Sequence, residues 1–96
     1  MIMDALTLYK HLKQQYLYHD VAYKLICYGA LDSFIKEPTL TEYETIATVC
    51  IYADAKAEKP NIEQLANSVC KKYANKEYTL DELTEMSSWD VLELLD

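Results

Sequence analysis

Residues 38–60 read PTLTEYETIATVCIYADAKAEKP, and this stretch decides the fold. A proline at each end isolates the segment, because proline has no backbone N–H and pushes the residue before it out of the α region. Inside it, Thr39 with Glu42 and Thr41 with Glu44 both have the spacing of a capping box, in which a hydroxyl and a carboxylate satisfy the first free N–H groups of a helix. Tyr43, Ile46, Ala47, Cys50, Ala53 and Asp54 then recur at three- and four-residue intervals up to the Lys56–Lys59 region. That pattern predicts a helix over residues 41–57 with one packed face.

The same signals continue toward the C-terminus. Asn61 with Gln64 is a cap-like pair after Pro60, and Ile62, Leu65, Ala66, Val69, Cys70 and Tyr73 form the stripe of a further helix. Thr79 with Glu82 is a third capping box before Leu80, Leu83 and Met86, and Ser87 or Ser88 can cap a last short helix through Trp89, Val91, Leu92, Leu94 and Leu95.

Toward the N-terminus, Val21, Ala22, Leu25, Ile26, Cys27, Tyr28, Ala30, Leu31, Phe34 and Ile35 cover nearly the whole circumference of a helix. A helix apolar all round is normally buried, so residues 21–36 are expected to form the central helix, capped by Asp20, with Gly29 admitting a close neighbour and Pro38 ending it. Before it, Ala5, Leu6, Tyr9, Leu12, Tyr16 and Leu17 mark an amphipathic helix over residues 4–18, which nothing between Tyr18 and Asp20 forbids from running into the next.

Ninety-six residues, 51% of them apolar, suffice for one core and leave no mass for a second domain. The expected architecture is all-α: one helical domain over residues 1–96, a compact bundle of four main helices with one or two short acidic helices at its C-terminus. No internal repeat or low-complexity linker divides it.

Charge is unevenly placed along this chain. Nine lysines and no arginine face sixteen carboxylates, and residues 1–76 hold nine of each sign. The net charge of −7 therefore lies wholly in residues 77–96, where Glu77, Asp81, Glu82, Glu85, Asp90, Glu93 and Asp96 meet no basic residue. First-turn acids such as Asp81, Glu82 and Asp90 compensate a helix dipole, but that requirement does not explain the absence of lysine after Lys76. An acidic tail of this kind is a mark of interaction with protein, and it disfavours direct nucleic-acid binding, which needs clustered Lys and Arg. A helix-turn-helix reader is disfavoured for the same reason, since residues 61–72 offer only Asn61, Gln64, Asn67, Lys71 and Lys72.

Catalytic and metal chemistry find little to work with. One glycine excludes a glycine-rich phosphate loop, and His11 and His19, eight residues apart, lack the four-residue spacing of helical zinc ligands. Cys27, Cys50 and Cys70 are odd in number, widely spaced and set in apolar runs, which reads as three buried thiols of a reducing compartment and neither a disulfide framework nor a zinc pair. A Cys27–His19 nucleophile would need an electropositive, exposed surrounding that Leu25-Ile26-Cys27-Tyr28 does not offer. The expectation is a protein without enzymatic activity, metal or cofactor. The N-terminal Met1-Ile2-Met3-Asp4 lacks the features of a signal peptide, and no uncharged stretch reaches a membrane span, so a cytoplasmic location is expected.

Three readings of the surface remain. In the first, the acids Asp81, Glu82, Glu85, Asp90 and Glu93 stand in for phosphates and occupy a basic, nucleic-acid-binding groove on a partner protein. Nucleic-acid-mimicking inhibitors of phages, including anti-CRISPR and anti-restriction proteins, act in this way. Residues of AT-rich codons (Phe, Tyr, Met, Ile, Asn, Lys) number 31 against 12 of GC-rich codons (Gly, Ala, Arg, Pro), a bias that fits a low-GC bacterium or its phages and mobile elements, and hence a host cytoplasm. In the second, the tail docks as an amphipathic helix with Trp89, Leu92 and Leu95 as anchors, as an adaptor, assembly chaperone or regulatory subunit would. In the third, Tyr9, Tyr16 and Tyr23, spaced by seven residues, form an aromatic seam that serves a partner or a homodimer, although the favoured reading of these rings is the edge of the domain's own core with their hydroxyls in solvent.

Overall fold

The computed structural model describes residues 18–58 and 61–95, and among them the chain is all-α, with five helices and no strand. The helix expected over residues 4–18 lies outside the described residues except for Tyr18, as do Tyr9 and Tyr16. We number the helices in chain order: α1 Tyr18–Phe34, α2 Leu40–Lys56, α3 Ile62–Ala74, α4 Leu80–Glu85 and α5 Ser88–Leu92.

The capping boxes form as their spacing requires. Thr39 accepts from the Glu42 N–H at 3.2 Å while the Thr39 N–H donates to Glu42 Oε1 at 2.7 Å, so α2 begins at Leu40 with Thr39, not Thr41, as its cap. The same reciprocal pair starts α4 with Thr79 and Glu82, and α5 with Ser87 and Asp90. Asn61 caps α3 by accepting from the Gln64 N–H at 3.1 Å. Substituting such a cap by alanine costs about 1 kcal/mol.

Among the described residues the central position belongs to α2, whereas residues 21–36 were expected to supply the central helix. Helix α2 touches all four other helices, whereas α1 packs chiefly on α2 and α3. One side of α2 carries small residues, Ala47, Cys50 and Ala53, that let neighbouring helices approach closely, and its half-buried Val49 packs against the core as well. The apolar girdle of α1 is only partly used: Val21, Cys27, Tyr28, Ala30 and Leu31 are buried, Leu25 and Ile26 half-buried, and Phe34 exposed. Among the described residues nothing lies within 4 Å of where a Cβ of Gly29 would stand, so none of the described helices makes the close approach expected there.

Two helix ends also differ from their expected places. Asp20 lies inside α1, which already includes Tyr18, and is not its cap. At the other end α1 stops at Phe34, because the chain needs residues 35–37 to turn before Pro38, and Glu37 adopts a left-handed φ of 59° immediately before that proline.

The core draws one cysteine from each of α1, α2 and α3. Cys27, Cys50 and Cys70 are all fully buried, and the Cys70 thiol lies 3.9 Å from the Cys27 carbonyl. Around them, the rings of Tyr28 and Tyr43 stack with centroids 4.1 Å apart. The buried Lys24 pairs with Glu44 at 2.9 Å, and Tyr73 donates to Glu42 at 2.5 Å, tying α3 to the N-terminus of α2. Among the described residues no helix is long and apolar enough to cross a membrane.

Candidate functional site

The α4–α5 segment is fixed by a small number of apolar side chains. Leu83 of α4, Val91 of α5 and Leu94 just beyond it are buried and packed into the core, and α2 is the helix both short elements rest on. This packing sets the orientation of everything else. Trp89, two residues before Val91, is 65% exposed, and Leu95 is exposed as well. The residues that staple the tail are therefore Leu83, Val91 and Leu94, while Trp89 points outward and Leu92 is half-buried.

Asp81, Glu82, Glu85, Asp90 and Glu93 are all exposed on this segment. Glu82 and Asp90 spend part of their capacity accepting the cap N–H of Thr79 and Ser87. Asp81, Glu85 and Glu93 make no side-chain hydrogen bond or ion pair among the described residues, and the nearest lysine in sequence is Lys76. Lys71 and Lys72 sit in the last turn of α3, where they favour its negative dipole end. The acids and Trp89 thus share one segment. Tyr23 stands apart from them, half-buried on α1.

A groove beside this face was not legible in the sequence. Thr48, Val49 and Tyr52 of α2 form one wall, with Leu83, Met86 and Val91 on the other side, enclosing about 330 Å³. Val49, Met86, Leu83 and Val91 make its floor apolar, and Tyr52, 66% exposed, stands at its mouth. The available signal is a second stripe on α2, Thr45, Thr48, Val49 and Tyr52, which repeats at helical spacing next to the core stripe.

The titratable groups in the described interior are thiols, tyrosines and a few charged side chains. Hydrogen bonding with Cys27, and then burial, push the Cys50 thiol well above its ordinary range, and burial raises Cys70. Such thiols stay protonated and are weak nucleophiles. His11 and the side chain of His19 lie outside the described residues. No group of three ligating side chains able to hold a metal is present among the described residues. Asp54 is the unusual interior group: it is 6% exposed, its Oδ1 has no partner, and burial raises its pKa. Glu42 contrasts with it. Burial pushes Glu42 upward, but hydrogen bonds from the Thr39 backbone, Tyr73 and the Thr39 hydroxyl outweigh that and lower it, while burial and the bond to Glu42 push Tyr73 up to about 12.

Compared with known protein families, curated protein sequences and solved structures, the chain matches none.

Proposed function

We propose that this protein is a non-enzymatic binding protein of the cytoplasm that uses its α4–α5 face to occupy a basic, nucleic-acid-binding surface of a partner protein. The supporting observation is the division of labour within residues 80–95. Leu83, Val91 and Leu94 are turned into the core, and Asp81, Glu82, Glu85, Asp90, Glu93 and Trp89 are left at the surface with no basic residue among them. Carboxylates held on packed helices present a fixed negative field, which accelerates encounter with a positive surface and discriminates against acidic ones. An exposed tryptophan beside them supplies the large apolar contact that carries binding energy at protein interfaces. This is the device of nucleic-acid mimics, and with the AT-rich codon bias it favours a phage or mobile-element inhibitor of the anti-CRISPR or anti-restriction type.

The test replaces Asp81, Glu82, Glu85, Asp90 and Glu93 together by Asn or Gln, after circular dichroism has shown the variant to be folded. A partner captured from a low-GC bacterial lysate at low salt should associate with the native protein in a salt-dependent manner and be displaced by duplex nucleic acid. The neutral variant should associate at least about tenfold more slowly at low ionic strength, with a flattened salt dependence. Unchanged rates and unchanged salt dependence would sink the reading.

A further inference from the structure

We infer that the groove between α2 and the α4–α5 segment seats an apolar side chain from a basic amphipathic helix of the partner protein. The inference rests on the reading of the α4–α5 face as the partner surface, and it names the element of the partner that is recognised.

The groove floor of Val49, Leu83, Met86 and Val91 offers no hydrogen bond to a ligand head, so its occupant is apolar where it enters. A space of about 330 Å³ is ample for a leucine, methionine or phenylalanine side chain with part of its backbone. The polar lining is Glu44, Thr45, Thr48, Tyr52, Thr84 and Ser88, of which the Thr84 hydroxyl already donates to the Leu80 carbonyl and the Thr48 hydroxyl to the Glu44 carbonyl.

Glu44 lines the groove but is already paired with Lys24, so the charge left over around this opening is that of Asp81, one helical turn before Thr84, and of Glu85, which follows Thr84 directly; no lysine lines the groove. An anionic ligand, including a phosphate backbone, is therefore repelled. A helix with an apolar residue every three or four positions and Lys or Arg between them meets both requirements at once, its apolar stripe entering the groove and its cations reaching the acids. A second copy docking through the same patch meets neither. In a two-fold pair the same patch faces itself, and the groove of one copy would bring its Asp81 and Glu85 against those of the other.

The probe is a synthetic 14-residue helical peptide of leucines at three- and four-residue spacing with lysines between. Two companions accompany it, one with the leucines changed to serine and one with the lysines changed to glutamate. Binding is followed by anisotropy of the labelled peptide and by backbone amide shifts of the protein. The first peptide should bind and shift the amides of Val49, Met86 and Val91, and both companions should bind at least about tenfold more weakly. Thr48→Phe fills the groove from an exposed position without altering charge and should weaken the first peptide by a similar factor. Thr84→Lys, also at an exposed position, does the same by charge and serves if Thr48→Phe does not fold.

If both groove variants bind the peptide as well as the native protein while the five-acid variant does not, the groove inference is overturned and the acidic-face reading stands. If the five-acid variant also binds normally, both fail. A concentration-dependent dimer whose formation shifts the Val49, Met86 and Val91 amides would assign the groove to a second copy and likewise overturn the inference.

Discussion

Helices α1 to α3 and the α4–α5 segment solve the same problem of burial with different means. The first three helices have 13 to 17 residues each and interlock through small or slim side chains, Ala47, Cys50, Ala53, Ala66 and Cys70, with Leu31, Ile46 and Leu65 filling the space between. Helices α4 and α5 have 6 and 5 residues, and are anchored by Leu83, Val91 and Leu94. Isolated helices of that length are unstable in water, so their structure comes from capping boxes and from α2 beneath them. A segment needing few inward side chains can devote the rest to one sign of charge, and the interlocked helices cannot.

The largest expected effect tests whether the two regions open separately. Leu31→Ala removes a fully buried side chain from α1 and should lower global stability by about 3 kcal/mol in urea unfolding. Leu83→Ala makes the same chemical change under α4. Its first consequence should be faster hydrogen exchange of the α4 and α5 amides, with those of α1 and α3 still protected. Uniform loss of protection across all five helices in Leu83→Ala would show that the two regions unfold as one cooperative unit.

How far these regions were readable from the sequence follows the same line. The boxes Thr39–Glu42, Thr79–Glu82 and Ser87–Asp90 are contacts three residues apart, and a local contact is written in local sequence. The faces of α2 and α3 were legible for the same reason, since periodicity records which side is dry. What was not legible is what depends on partners distant in the chain. Nothing in their flanks announces that Cys27, Cys50 and Cys70 meet, because the meeting is set by how α1, α2 and α3 cross. That α2 touches more of the described helices than α1 does is not legible either, because an apolar girdle reports hydrophobicity and not neighbours. The groove went unseen because its two walls lie more than thirty residues apart, from Val49 to Leu83. Of the expected partner-binding residues, the acids and Trp89 lie together at the surface and Tyr23 lies elsewhere, while Tyr9 and Tyr16 fall outside the described residues.

A smaller effect separates the two carboxylates of α2 by their opposite pH dependence. Glu42 has a lowered pKa in the folded chain, so its contribution is complete above the ordinary 4.5 and fades as pH falls through the folded value. Asp54 has a raised pKa, so its contribution is complete below the ordinary 3.8 and is lost as pH rises through the folded value. Tyr73→Phe removes the donor to Glu42 and should cost about 1.5 kcal/mol at neutral pH, the cost shrinking in acid as Glu42 protonates. Asp54→Asn removes a buried charge that has no partner on Oδ1, and should gain about 1 kcal/mol at neutral pH, the gain also shrinking in acid. Urea midpoints of the three proteins across the acid range check both signs. A loss of stability in Asp54→Asn at neutral pH would show that the carboxylate is being held by something, and would make it the first interior group to examine for function.

The smallest effect lies at the joint between the two regions. Helix α3 ends in a Schellman motif, in which the Lys76 N–H bonds to the Tyr73 carbonyl at 3.0 Å and the Glu77 N–H reaches back to the Lys72 carbonyl at 3.0 Å. The motif requires a left-handed residue, and Lys76 supplies it at φ 62° despite its Cβ. A non-glycine residue there costs about 1–2 kcal/mol, part of which glycine would return to the entropy of the unfolded chain. Lys76→Gly should therefore raise stability by about 0.5–1 kcal/mol in thermal or urea unfolding. It also deletes the last lysine before the acidic segment, making the chain one unit more negative. Lys76→Asn, which tolerates the left-handed conformation and removes the same charge, separates the two causes. If the backbone is responsible, glycine stabilises more than asparagine and salt leaves the difference intact; if Lys76 instead holds down the repulsion among the acids, both variants lose stability at low salt and recover at high salt.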